Sequence, residues 1–258
     1  MASASRMPTL FVGHGTPMNA ILDNQWTQAF RNLANEVPRP KAIVSISGHF
    51  YTPGIYVTDN EAPPTIHDFG GFPQALFDIQ YPCPGSPDLA RKISEILDGH
   101  AHLTDKWGLD HGTWSVLLHM FPEADIPVVQ LSIDARLEPQ VHVAIGKELA
   151  PLRDEGVLIL GTGNITHNMR IGFWQQEQGV VPDWSSTFDN LVADATKAHD
   201  APALARLAQS KEGEAAHSGF DHYYPLLYVA GAANDDDPVS YPITGFDRYF
   251  SMRSVKFG

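Results

Sequence analysis

The chain has a single cysteine, Cys83, among 258 residues. That excludes an intramolecular disulfide and a thiolate-rich zinc site, and it fits a reducing cytoplasm. Cations are scarce too: 17 Lys and Arg stand against 30 Asp and Glu, a formal net charge of −13. So acidic a chain lacks the positive field that sequence-independent binding to nucleic acid requires. No apolar run approaches the length of a membrane span. Residues Met1 to Pro8 lack the basic-then-apolar order of a signal peptide, so 1–7 read as a disordered lead-in. There is no Gly-x-Ser-x-Gly elbow, which leaves a serine hydrolase unsupported. Gly161-Thr162-Gly163-Asn164 is rich in glycine but has neither the lysine nor the spacing of a phosphate loop. Without repeats, low-complexity segments or linkers, residues 1–258 read as one domain.

Histidine is plentiful, at twelve residues. Any metal site must then be built from imidazole and carboxylate. The first apolar run, Thr9 to Val12, stops at Gly13-His14-Gly15, and Pro17 forbids an immediate return to a strand. Asn24 to Asn35 has helical spacing of Trp26, Ala29, Phe30 and Leu33. The next strand, Lys41 to Ser47, ends in Gly48-His49, completing a βαβ unit. If its strands are adjacent and parallel, both histidines lie side by side at their carboxyl ends, where open α/β sheets bind ligands. A third strand, Val157 to Leu160, opens into a glycine-rich turn that delivers His167.

Strands at Ile55 to Thr58 and Pro127 to Ser132 alternate with helices at Asp88 to Leu97, Pro139 to Leu152, Asp183 to His199, Pro202 to Gln209 and Leu226 to Ala233. Phe250 to Lys256 reads as a closing strand at a sheet edge. The pattern predicts an α/β fold, a single domain whose central, mostly parallel sheet is flanked by helices. Ala62 to Pro87 has no clear period and reads as a functional loop.

His14 and His49 are the leading candidate metal ligands. The third ligand is open among His67, His111, His167, His217, His222, Glu214 and Asp221; His222 has the advantage of beginning a helix. His217 reads as a solvated loop residue. His167 suits a fourth ligand or an acid–base group, since imidazole titrates near neutral pH. His111 suits a contact to a polar substrate group or a pair with Asp110. His100, His102, His119, His142 and His199 read as structural. Phe69, Phe72 and Trp114 could wall an aromatic ring or simply pack.

Taken together, Gly13-His14-Gly15-Thr16-Pro17, Ser47-Gly48-His49, His67-Asp68-Phe69-Gly70-Gly71-Phe72, Asp110-His111-Gly112, Gly161-Thr162-Gly163-Asn164 with His167-Asn168, and His222-Tyr223-Tyr224-Pro225-Leu226 form an ordered set. That set resembles the DODA-type branch of the class III (LigB-like) extradiol ring-cleavage dioxygenases, from about Met7 to about Gly231. The resemblance implies a mononuclear divalent metal held by His14, His49 and His222, with His167 as the acid–base residue. It places His111 near the substrate, and His67 is read as a second substrate contact. It implies that a catechol, DOPA-like, is opened with O2 when Fe(II) is bound. Zn(II) also suits an all-histidine site but cannot change valence. Two rival readings of the same residues are a zinc-dependent hydrolase and a non-catalytic metal- or phenol-binding protein. The expected assembly is a monomer or small homo-oligomer in the cytoplasm, without nucleic-acid or membrane partners.

Overall fold

The computed structural model describes residues 6–175 and 180–258. Two of its segments, Val128–Asp134 and Val157–Gly163, are buried along their whole length, with no polar-out alternation. Such runs belong inside a sheet covered on both faces, and both lie there. The strands are β1 (Thr9–Gly13), β2 (Ala42–Thr52), β3 (Ile55–Thr58), β4 (Ala101–Thr104), β5 (Val128–Asp134), β6 (Val157–Gly163), β7 (Val239–Ile243), β8 (Phe246–Asp247), β9 (Phe250–Ser251) and β10 (Ser254–Phe257). The helices are α1 (Gln25–Leu33), α2 (Gln74–Phe77), α3 (Pro87–Ile96), α4 (His111–Met120), α5 (Pro139–Leu149), α6 (Met169–Gln175), α7 (Asp183–Lys197), α8 (Ala201–Ala208), α9 (Lys211–Ala216) and α10 (Tyr224–Gly231).

Eight strands form one sheet in the order β4-β3-β5-β2-β6-β1-β10-β7, while β8 and β9 make a separate hairpin. The run β5-β2-β6-β1 is parallel; β3 reverses against β5, and β10 reverses against β1 and β7. The domain is thus α/β with a mostly parallel sheet. Side chains alternate between two cores, as the pleat requires. Phe11, Val44, Ile46 and Ile159 face one, beneath α5, α7, α8 and α10; Leu10, Val12, Ile43 and Leu160 face the other, against α1 and α4. Helix α10 is buried all round, as an apolar helix between two layers must be. Among the described residues no helix is long and apolar enough to cross a membrane.

Several expectations need correcting. Strands β1 and β2 are not neighbours: the α1 crossover skips one position, and β6 fills it, pairing with both. His49 does not end its strand, because β2 continues to Thr52. The segment Phe250 to Lys256 is two strands, and β10 is internal, with β7 at the edge. Of the expected lead-in, residues 1–5 lie outside the described residues. Met7 is buried, and its backbone is bonded both ways with Arg153.

Candidate metal centre

The carboxyl end of β1 carries the first histidine. His14 N–H donates to Gly163 O at 2.9 Å, extending the β1–β6 ladder by one residue. Gly15 then turns in the left-handed region, φ +67°, against Met252. The amide of Asn19 holds the His14 carbonyl at 3.0 Å. The His14 ring donates from Nδ1 to Gly15 O at 3.0 Å, while its buried Nε2 has no hydrogen-bond partner.

His49 reaches the same place by a different device. Between the pairs Ile46–Leu131 and Tyr51–Ile133, the residues Ser47, Gly48, His49 and Phe50 stand against the single residue Ser132 of β5. This bulge re-aims the strand. Gly48 gives the room for this: a Cβ would meet the His222 backbone at 3.0 Å, tighter than nine in ten real contacts. Ser47 Oγ donates to buried Asp110 Oδ1 at 2.7 Å and accepts from His49 N–H at 3.2 Å. His49 Nδ1 lies 3.1 Å from Asp68 Oδ2, and its buried Nε2 is also without a hydrogen-bond partner.

His222 arrives from the opposite side of the chain, two residues ahead of α10. Its carbonyl accepts from Asn164 N–H at 3.0 Å, just beyond β6. The approach is so close that a Cβ on Gly163 would sit 2.0 Å from that carbonyl oxygen. His222 Nδ1 lies 3.2 Å from Asp221 Oδ2. The ring centroid of His222 is 4.7 Å from that of His49 and 5.2 Å from that of His14.

His111 is the first residue of α4, whose N-cap is Asp110. Asp110 is anchored by Gln130 through Nε2 at 2.7 Å, and burial raises its carboxyl pKa, with Asp68 adding to the rise. It is therefore Asp68, not Asp110, that meets the His111 side chain: Oδ1 accepts the His111 N–H at 2.9 Å and Oδ2 lies 3.0 Å from Nδ1. Asp68 thus clamps His49 and His111 together, their rings 3.9 Å apart. Burial opposes its ionised form, but the His111 and His49 contacts outweigh burial and hold the carboxyl below its usual value. The sequence reading missed Asp68 as a functional residue, although it stands beside His67 in a quoted motif.

His167 stacks on His222, with centroids 3.7 Å apart and planes 2° from parallel, and Phe250 covers its other side. Burial first, then neighbouring histidines, lowers the pKa of His14 and His222 well below the usual range. His49 falls to about 3, and His167 to about 4 despite an opposing backbone hydrogen bond. At neutral pH these rings are uncharged, the form that ligates metal. His14, His49 and His111 each offer a nitrogen within 4.8 Å of the others, and His167, Asp221 and His222 form a second such group.

Two expectations move. His67 does not line this cavity: its Nε2 donates to Ile79 O at 3.0 Å, among Phe69, Phe77 and Trp114. His217 is buried, not solvated. It ends α9 and pairs with His167 in an isolated bridge, its ring packed by Phe188, Phe220 and Tyr223.

A cavity of about 800 Å³ opens over the histidines, within the range of small-molecule sites. Phe69, Phe72, Trp26, Met18 and Leu22 supply apolar wall, and Asp247 and Arg248 also line it. Trp114 stays fully buried below, donating to Ile66 O. The site is a nest of imidazoles under an apolar vestibule. Residues 3–254 match the family of the catalytic LigB subunit of aromatic ring-opening dioxygenases. The chain belongs to that family. It is 44% identical to the 4,5-DOPA dioxygenase extradiol of Escherichia coli K12, over 99% of this chain and 96% of that one. It is 40% identical to the protein of the same name from Beta vulgaris, over 88% and 87%. The crystal structure of an uncharacterized Escherichia coli K12 protein superposes with a TM-score of 0.84 at 38% identity, covering 98% of this chain and all of that one. This LigB-family chain is an aromatic ring-opening enzyme of the extradiol type, and the family is metal-dependent.

Proposed function

We propose that this extradiol dioxygenase opens a catechol bearing a DOPA-like side chain, with one divalent metal held by His14, His49 and His222. The observation that carries the reading is the pair of buried, partnerless Nε2 atoms of His14 and His49. In these two ligands the other ring nitrogen faces an oxygen, of Gly15 or Asp68, which is how proteins orient metal-binding imidazoles. His222 Nδ1 lies 3.2 Å from Asp221 Oδ2 without a hydrogen bond. Fe(II), when bound, supplies the redox chemistry that lets a catechol ring react with O2; Zn(II) fits the same donors without it.

The chain's own residues do the rest. Phe69 and Phe72 wall the ring and exclude water from one side. His167, neutral and stacked on His222, accepts a catechol proton and returns it to the ring-opened product. His111, fixed through Asp68, donates to a polar group of the substrate. The hydrolase and non-catalytic binding readings lose support once the family is known. A cytoplasmic location and a monomer or small homo-oligomer complete the proposal, with the buried free thiol of Cys83 favouring a reducing compartment.

The test is anaerobic reconstitution of metal-free protein with Fe(II) or Zn(II), followed by catechols and air. Turnover with iron alone, read as oxygen uptake and a visible ring-opened semialdehyde, supports the proposal. Stoichiometric iron with no turnover across the panel refutes it. Metal analysis separates the roles: His14→Ala, His49→Ala and His222→Ala lose metal, whereas His167→Ala and His111→Ala keep it and lose turnover. Metal loss in His111→Ala with retention in His222→Ala would move the third ligand to His111.

A further inference from the structure

The β8–β9 hairpin has no role in the chemistry above, yet it is held to the cavity wall by several buried hydrogen bonds. Asp247 pairs with Phe250, leaving Arg248 and Tyr249 as a two-residue loop. Arg248 adopts φ +60°, a conformation in which a long side chain is uncommon and which surrounding structure must hold in place. That structure is visible. The Tyr249 carbonyl accepts from Thr166 Oγ1 and Ser185 Oγ, both at 2.8 Å. Ser251 N–H donates to Thr166 Oγ1 at 2.8 Å, and its carbonyl accepts from the Asn164 amide at 2.9 Å. Phe250 lies on the His167 ring. The hairpin is bolted to the turn that carries His167, so its two charged residues keep a fixed place relative to the histidines.

Charge in this cavity is sparse. Apart from the histidines, its described lining carries Asp68, Asp247 and Arg248. Asp68 is committed to His49 and His111. The other two are one carboxylate and one guanidinium on adjacent residues, half-buried and exposed respectively. Neighbouring charges of opposite sign at the edge of an apolar vestibule complement a zwitterion, and a guanidinium fork grips a carboxylate bidentately.

We infer that Asp247 and Arg248 form a subsite that reads the amino-acid end of the substrate, Arg248 taking its carboxylate and Asp247 its ammonium. The inference rests on the proposed catechol-binding reading and adds its selectivity. Burial raises the Asp247 carboxyl pKa and Arg248 opposes that rise, so a desolvated Asp247 gains from a cationic partner.

The test uses metal-loaded protein without oxygen and measures calorimetric binding of four probes: L-DOPA, 3,4-dihydroxyphenylpropanoate, dopamine and 4-methylcatechol. Arg248→Gly is the informative variant, because glycine accepts the left-handed backbone that this turn requires. It should lose at least tenfold in affinity for the two carboxylate-bearing probes relative to 4-methylcatechol. Asp247→Asn should lose comparably for the two ammonium-bearing probes on the same scale, and Arg248→Lys should restore part of the carboxylate preference. Equal losses on all four probes, or no loss in Arg248→Gly, overturn the subsite. Admitting air to the iron-loaded wild type then judges the underlying reading separately. Absence of turnover on every probe sinks the dioxygenase proposal, while the binding ratios still decide the subsite.

Discussion

The sharpest test of how the centre is built is Gly163→Ala. A Cβ at this position would lie 2.0 Å from the carbonyl oxygen of His222, where real contacts essentially never fall under 3.0 Å. The main chains at β6 and at His222 must therefore part by about 1 Å, and neither can yield by changing rotamer. The Asn164–His222 hydrogen bond spans the same contact. Overpacking of this kind costs roughly 1–3 kcal/mol, or roughly 2–12 °C in Tm for a chain of this size. The larger effect is on chemistry, since a 1 Å misplacement costs on the order of 100-fold in rate. The expected protein is folded, melts somewhat lower, binds its metal more weakly and turns over about a hundredfold more slowly. Gly70→Ala is the control, because an added Cβ there meets nothing within 4 Å, and it should match the wild type in all three measurements. Wild-type metal affinity and turnover in Gly163→Ala would refute the claim that this contact sets the position of His222.

Three further outcomes are expected. Asp68→Asn keeps the size of the clamp but removes its charge, and should weaken metal binding or turnover by roughly 10–100-fold, measured by competition with a chelator and by oxygen uptake. Asp189, 3% exposed, holds Ser251 and Arg253 at the base of the hairpin. Asp189→Ala strands a half-buried guanidinium, and urea unfolding should show a loss of about 3 kcal/mol, the low end for breaking a buried pair. His142 is fully buried beside Tyr228, away from the metal ligands, and burial lowers its pKa from 6.5 to about 4. Below about pH 6.5 the unfolded chain takes up a proton that the folded chain refuses, so stability falls as pH drops from about 6.5 to about 4. This one group accounts for about 3 kcal/mol of that fall. His142→Phe should flatten the pH dependence of urea unfolding over that window, and an unchanged slope would show that the ring titrates normally.

The parts of the site that could be read from the sequence are those written locally. Gly13-His14-Gly15 and Gly48-His49 announce histidines held where other groups can approach, and the structure shows the close approaches at Gly15 and Gly48. Strand order is not local. Nothing within residues 9–49 says that the α1 crossover leaves a vacant position for a strand more than a hundred residues later, so the sequence offers adjacency of β1 and β2 only as a condition, and the structure does not meet it. His217 was misjudged for a similar reason. Lys211-Glu212-Gly213-Glu214 looks like solvated chain, yet Ser210 caps a helix there, and Gly213 packs on the Leu207 carbonyl, turning the following histidine inward. Asp68 escaped notice because one acid in a long loop has no period to mark it; its role exists only when that loop lies across β2 and α4.

The slot between β1 and β2 also bears on how the protein is made. Two of the three proposed metal-binding histidines leave the ribosome within the first fifty residues, but their strands are held about 10 Å apart by the one between them. Residues 157–163 must be inserted there, and His222 must follow, before three imidazoles can face one point. A metal ion meeting the first fifty residues would find at most two of the proposed ligands, and their strands gain a common frame only when β6 pairs with both. On the proposed ligand set the complete three-histidine site exists only in the finished sheet, beneath the cavity mouth, so loading is expected to be a property of the folded protein rather than a step in its assembly.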